Sequence, residues 1–170
     1  LNWIAMGYPA GDTTLAPTPP SYPDYQLAGT PDLVLQIPTF ASNASTNDAY
    51  NCFSIPTGLT QNRILRAYEI VAGNATIVHH VVVDVDTVGS STSDLSGGCY
   101  NMSSNYLAIG GWAPGAAPTV FPGVAPLKAG IPIKANSKLV MQIHYPAGTA
   151  GQLDSTQIRL YFYPIGATGV

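Results

Sequence analysis

The sequence predicts an all-β domain, a two-sheet sandwich or jelly roll. Three observations lead there. Short runs of β-branched and aromatic residues recur along the chain, each stopped by turn residues. The 15 Pro and 17 Gly punctuate strands rather than helices. No 11-residue window holds the 3.6-residue period of an amphipathic helix.

The elements follow in order. Residues 1–32 contain Pro9, Pro17, Pro19, Pro20, Pro23 and Pro31. Proline fixes φ and donates no backbone hydrogen bond, so this segment is expected to be an extended arm. It also carries Trp3, Ile4, Met6, Tyr8, Tyr22 and Tyr25, which a solvated tail does not need; the arm should lie on the domain or on a partner. Residues 33–170 then form a single domain, with no fixed-period repeat and no interior linker. Its expected strands are Asp32–Ile37, ended by Pro38; Ala49–Ile55, ended by Pro56; Ile64–Val71, stopped by Ala72-Gly73-Asn74; and Ala75–Val88, the longest β-branched run. A Ser/Gly-rich loop covers residues 89–98. Tyr106–Ile109, Ile131–Ile133, Lys138–His144 and Gln157–Tyr163 complete the set, with Gly110–Gly130 as a long loop.

Composition bounds the function. A chain of 170 residues, 46% hydrophobic, can bury a sizeable core. Charged residues make up only 9%, where about 25% is ordinary. This fits a secreted, turn-rich protein, or one whose surface a neighbour partly covers. The net charge is −3, and the six cations Arg63, Arg66, Lys128, Lys134, Lys138 and Arg159 form no cluster; a nucleic-acid partner is excluded on that ground. No apolar run reaches the ~18–20 residues of a membrane span. Leu1 opens a mixed segment without the pattern of a signal peptide, as expected of a mature product or an excised piece. Cys52 and Cys99 are 47 residues apart, with no zinc-finger spacing. In an oxidising compartment they read as one disulfide, contributing about 4 kcal/mol by loop entropy; in the cytosol they would be two buried thiols. Asn43-Ala44-Ser45, Asn74-Ala75-Thr76 and Asn101-Met102-Ser103 are formal glycosylation sequons.

All the histidines fall at two places: His79-His80 in the Val-rich run, and His144 in LVMQIHYP. Both strands are apolar enough to be largely buried, and buried imidazoles need partners for their nitrogens. One metal ion satisfies all three at once. Three imidazoles without thiolate or carboxylate suit copper or zinc by ligand type, and a three-histidine zinc site with an open position is the competing reading. The alternative is three ordinary core or surface histidines. Adjacent strand residues point to opposite faces, so His79 and His80 converge only if a twist or bulge intervenes. Asp84 and Asp86 lie too far along the strand to join the same ion. Met141 faces the side opposite His144 and reads as core packing. Gln142 shares a face with His144 and is a candidate to hold a ligand ring from behind. Because ligands must be deprotonated, metal affinity should fall as pH drops through about 6.5.

Tyr50-Asn51-Cys52-Phe53, Ile70–Asn74, Val78-His79-His80-Val81, Gly111–Gly115, Phe121-Pro122-Gly123-Val124 and Met141–Tyr145 together resemble the copper type II, ascorbate-dependent monooxygenases. That family includes peptidylglycine α-hydroxylating monooxygenase and dopamine β-monooxygenase. The opening, with Trp3, Gly7–Asp12 and Leu27–Asp32, is similar to the lead-in of bacterial relatives. The resemblance spans nearly the whole chain. It implies an antiparallel jelly-roll-like β-sandwich, His79, His80 and His144 as ligands of the family's first copper, and a Cys52–Cys99 disulfide embracing the His-His strand. It further implies copper rather than zinc, an ascorbate-like reductant and a second copper domain as partner, in keeping with the extracytoplasmic location that the composition and the cysteines suggest. The family's second domain carries His-X-His and a Met ligand and activates oxygen; no His-X-His occurs here. The expectation is therefore a redox domain without the oxygen-activating half, its catalytic residues undefined. The alternative is a structural or assembly subunit of an extracellular polymer that uses the same sandwich, with copper structural or absent. A polysaccharide monooxygenase is disfavoured because Leu1, not histidine, stands first; a serine hydrolase is disfavoured because no G-x-S-x-G motif is present.

Overall fold

A computed structural model describes residues 2–18, 26–100 and 102–170. The strands are β1 (Leu33–Gln36), β2 (Phe40–Ala41), β3 (Ala49–Pro56), β4 (Arg63–Val71), β5 (His80–Asp86), β6 (Leu107–Trp112), β7 (Thr119–Val120), β8 (Gly123–Val124), β9 (Leu127–Lys128), β10 (Ile131–Ile133), β11 (Lys138–Tyr145), β12 (Leu153–Asp154) and β13 (Gln157–Phe162). Two antiparallel sheets face each other. One runs β1-β13-β4-β10, with β7 also on β4; the other runs β3-β11-β5-β6. The all-β sandwich expected from the strand runs is the observed architecture.

Alternation along the strands builds the core. In the second sheet, β11 sends Leu139, Met141 and Ile143 inward, opposite Ile55, Phe53 and Asn51 of β3 and Val85, Val83 and Val81 of β5. Leu35, Leu65, Ile158 and Leu160 of the first sheet close the same buried cluster. Burying each such side chain contributes about 1.5–3 kcal/mol. Met141 is wholly buried, in the core role expected of it.

The other face of the second sheet carries the chemistry. Register places Tyr50, His144 and His80 in one cross-strand row, and Cys52, Gln142 and Val82 in the next. Directly opposed residues share a face, so His144 and His80 point the same way. The loop after β5 folds back along this region. Its Asp94 exchanges backbone hydrogen bonds with Cys52, Tyr50 donates to Gly97 and Cys99 donates to Tyr50. A Cys52–Cys99 disulfide fastens it. The loop thus satisfies the outer backbone edge of β3, which would otherwise be a free template for another strand.

Three expectations need correction. The predicted strand Ala75–Val88 is shorter at both ends. Asn74 takes the Thr76 N–H and hydroxyl on its side chain, and the Ile77 and Val78 N–H groups on its carbonyl, so residues 74–77 form a turn. At the other end Asp86 accepts the N–H groups of Val88, Gly89 and Ser91 and ends the strand. The strand expected at Tyr106–Ile109 runs instead from Leu107 through Trp112, across a bulge where Val83 pairs Gly110 but Asp84 pairs Ala108. Gly110 has φ 144°, and a Cβ there would strike the Tyr68 hydroxyl, which is why glycine serves at the break. The long loop Gly110–Gly130 contains β7, β8 and β9.

Within the arm, Asn2–Ala5 makes one helical turn and Thr13–Leu15 a 3-10 turn. Trp3 packs edge-on to Tyr8 at 5.5 Å and donates to the Pro9 carbonyl. Trp3, Ile4, Met6, Tyr8 and Leu15 are exposed. Tyr22 and Tyr25 fall outside the described residues, as does Asn101. Leu27 ties the end of the arm to the first sheet by donating its N–H to Glu69. The side-chain amides of Asn43 and Asn74, the two described sequon residues, donate to the Leu95 and Leu153 carbonyls.

Candidate metal centre

The ladder between β5 and β11 ends at the pair His80–His144. In continued register His79 would stand opposite Tyr145. Instead its N–H donates to the carbonyl of His144 at 3.0 Å. The chain has already left the pleat there, because the Asn74 turn delivers it from the side. This is the local irregularity that adjacent histidines require in order to share a target. Val78, buried in the core, anchors the approach, while His79 itself is exposed.

The three rings meet through their Nδ1 atoms. His79 and His80 Nδ1 are 3.2 Å apart, His144 and His79 3.1 Å, and His144 and His80 3.3 Å. Nitrogens each about 2.0–2.1 Å from one ion at tetrahedral angles stand about 3.3–3.4 Å from each other. The triangle therefore fits a single cation. Hydrogen bonds cannot serve it equally well: a neutral imidazole has only one N–H, and that of His144 is spent elsewhere. His144 Nε2 lies 3.0 Å from Asp48 Oδ2. An ionised carboxylate only accepts, so the proton sits on Nε2 and the lone pair on Nδ1 faces the other two rings. A carboxylate behind a histidine in this way orients the ring and raises its basicity as a ligand.

The surroundings favour the same state. The Ala147 backbone N–H, and after it the His144 ring, hold the Asp48 carboxyl below its usual range. Burial, then the neighbouring His144 and His79, push the His80 imidazole below its ordinary value, keeping its lone pair free. Tyr50 stacks on His144 with ring centroids 4.3 Å apart and planes only 2° from parallel. His144 is buried, His80 half-buried and His79 exposed, so the centre is shielded on one side and open on the other.

The structure thus brings together all three predicted histidines as a group that could hold a metal ion. Gln142, expected behind a ligand ring, donates its amide to the Cys99 carbonyl at 2.6 Å and so braces the disulfide loop. The carboxylate that meets His144 is Asp48, which sequence reasoning did not single out. Nor did it single out the stacking role of Tyr50. The usable signal was register: once β3 pairs with β11 through Cys52 and Gln142, Tyr50 stands beside His144 and Asp48 at the adjoining strand end. The chain matches no family model and no curated protein.

Proposed function

We propose that His79, His80 and His144 hold one copper ion in an extracytoplasmic redox domain, similar to the electron-transfer half of the copper type II ascorbate-dependent monooxygenases. The Nδ1 triangle of 3.1–3.3 Å carries this reading. An all-imidazole donor set suits copper or zinc, and the resemblance of the His-His and His-Tyr motifs favours copper. Copper held there supplies one-electron exchange between Cu(II) and Cu(I). The chain's residues supply the rest. Asp48 keeps the proton of His144 on Nε2, Tyr50 covers one face of that ring, and the β5–β11 pairing sets the spacing of His80 and His144. The disulfide supports a location outside the cytoplasm. Among the described residues no helix is long and apolar enough to cross a membrane. By resemblance the partners are an ascorbate-like reductant and a second copper domain.

Titrating the metal-free chain with Cu(II) under electron paramagnetic resonance tests the proposal. One ion per chain is expected, with hyperfine structure from imidazole nitrogens that His144→Ala removes. The same signal persisting in a variant lacking all three histidines defeats the assignment. Copper that leaves the protein on each cycle of reduction and reoxidation defeats the redox role.

A second reading, a structural subunit of an extracellular assembly, is favoured by one observation: Trp3, Ile4, Met6, Tyr8 and Leu15 stand exposed along the arm. Light scattering that rises with concentration, and is lost when residues 1–18 are removed, supports it; a monomer at all concentrations removes it.

A further inference from the structure

An open cleft of about 330 Å³ adjoins the histidine centre through Asp48, which lines the cleft and contacts His144; none of the three histidines lines it. One wall is the segment leading into β3, with Ser45, Thr46, Asn47 and Asp48; the other is the disulfide-held loop, with Gly98 and Tyr100. We infer that this cleft binds a small neutral polyhydroxylated molecule, a mono- or disaccharide by size and chemistry.

Both walls are held in place by bonds that do not involve a ligand. Ser45 accepts from Gly148 N–H at 2.7 Å, and Asn51 donates to Asn43 at 2.9 Å. Opposite, the Tyr50–Gly97 and Cys99–Tyr50 backbone bonds and the Cys52–Cys99 bridge fix the loop. Small-molecule sites are usually pre-formed in this way, at about 300–1,000 Å³. The exposed hydroxyls of Ser45, Thr46 and Tyr100 and the exposed amide of Asn47 have no side-chain partner among the described residues, whereas the carboxylate of Asp48 is engaged with His144 and Ala147. The unspent groups are neutral and both donate and accept, which matches hydroxyl groups.

Charge narrows the class further. Asp48 is the one formal charge in the lining, and no Lys or Arg reaches it. An anion is therefore repelled. A cation meets a single carboxylate whose oxygens already hold two partners. Tyr100 is 63% exposed, with its ring 5.0 Å from that of Tyr50. It offers an aromatic face with a polar tip, suited to a ligand with one apolar side and a hydroxylated rim. Because Asp48 is both wall and partner of His144, a hydroxyl that hydrogen-bonds to Asp48 is felt at the histidine centre.

The inference does not depend on an ion among the histidines, so the test uses the metal-free chain. The ¹⁵N-labelled protein is titrated with D-glucose, cellobiose and, as the anionic comparison, L-ascorbate, while amide shifts are followed by NMR. Saturable shifts confined to residues 43–49 and 96–100 are expected for the neutral sugars, with dissociation constants on the order of millimolar. Asn47→Ala and Tyr100→Ala, both at exposed positions, should each weaken binding about tenfold. Linear, unsaturated shifts with both sugars overturn the inference. So does affinity unchanged in both variants, and so does ascorbate binding more tightly than the sugars. None of these outcomes bears on copper binding, and failure of copper to bind leaves this inference standing.

Discussion

Asp48 and Tyr50 flank His144 in different ways, and substitution separates them. Asp48→Asn keeps the shape but lets the amide present a donor to Nε2, so the ring can turn over its tautomer. Changes behind a metal-bound histidine typically cost about 10–100-fold in affinity. We expect a loss of that size for Asp48→Asn, read by competition with a copper chelator, and full loss for His144→Ala. Tyr50→Leu removes only the stacked face and should cost less than Asp48→Asn; the reverse order would make stacking, not the carboxylate, the main support. The three histidines were legible in sequence because all the imidazoles of the chain fall in two apolar runs, and the resemblance of those runs favoured a shared ion over three ordinary histidines. Asp48 was not, because an exposed acid in a polar stretch between strands has no local pattern; its role exists only after β3 and β11 pair.

Strand β5 carries, near its C-terminal end, two carboxyl groups whose pKa values the fold moves in opposite directions. Burial pushes Asp84 above the ordinary carboxylate value. Asp86 is also pushed up by burial, but its hydrogen bonds from Ser91, Val88 and Gly89 outweigh this and leave it below that value. A carboxylate depressed in the fold stabilises at neutral pH, and that contribution is lost as pH falls through its folded pKa. A carboxylate raised in the fold penalises the native state at neutral pH, and the penalty lifts once it is protonated. Asp86→Asn should therefore destabilise at pH 7 by about 1–3 kcal/mol. Asp84→Asn should raise the melting temperature at pH 7, an advantage that disappears near about pH 2–3. Thermal melts across that range check both; an Asp84→Asn variant less stable than the parent at pH 7 contradicts the argument. The interior of β5 was readable from its alternating valines, and the other long strands from similar runs closed by proline. Its start was misread because Thr76, Ile77 and Val78 favour strands, while the Asn74 side chain binds the backbone locally and wins. Two-residue strands such as β2 and β12 are too short to carry a period at all.

For the molecule as a whole, the disulfide loop joins stability to site shape. It lies along the edge of β3, braces Gln142 and supplies Tyr100. A Cys52→Ser/Cys99→Ser variant should lose about 2–4 kcal/mol, with faster amide exchange concentrated in residues 89–100. Copper affinity should change less than with Asp48→Asn, because all three histidines belong to the sheet or to the turn before it. Equal losses would place the loop among the determinants of the centre. The graded burial of the histidines has a consequence for traffic. His144 is walled in by Tyr50 and Asp48, so an ion held there would enter and leave past His79, which hangs from a turn outside the ladder. Small chelators that fit through that doorway should strip the protein quickly, and bulky ones of equal strength slowly.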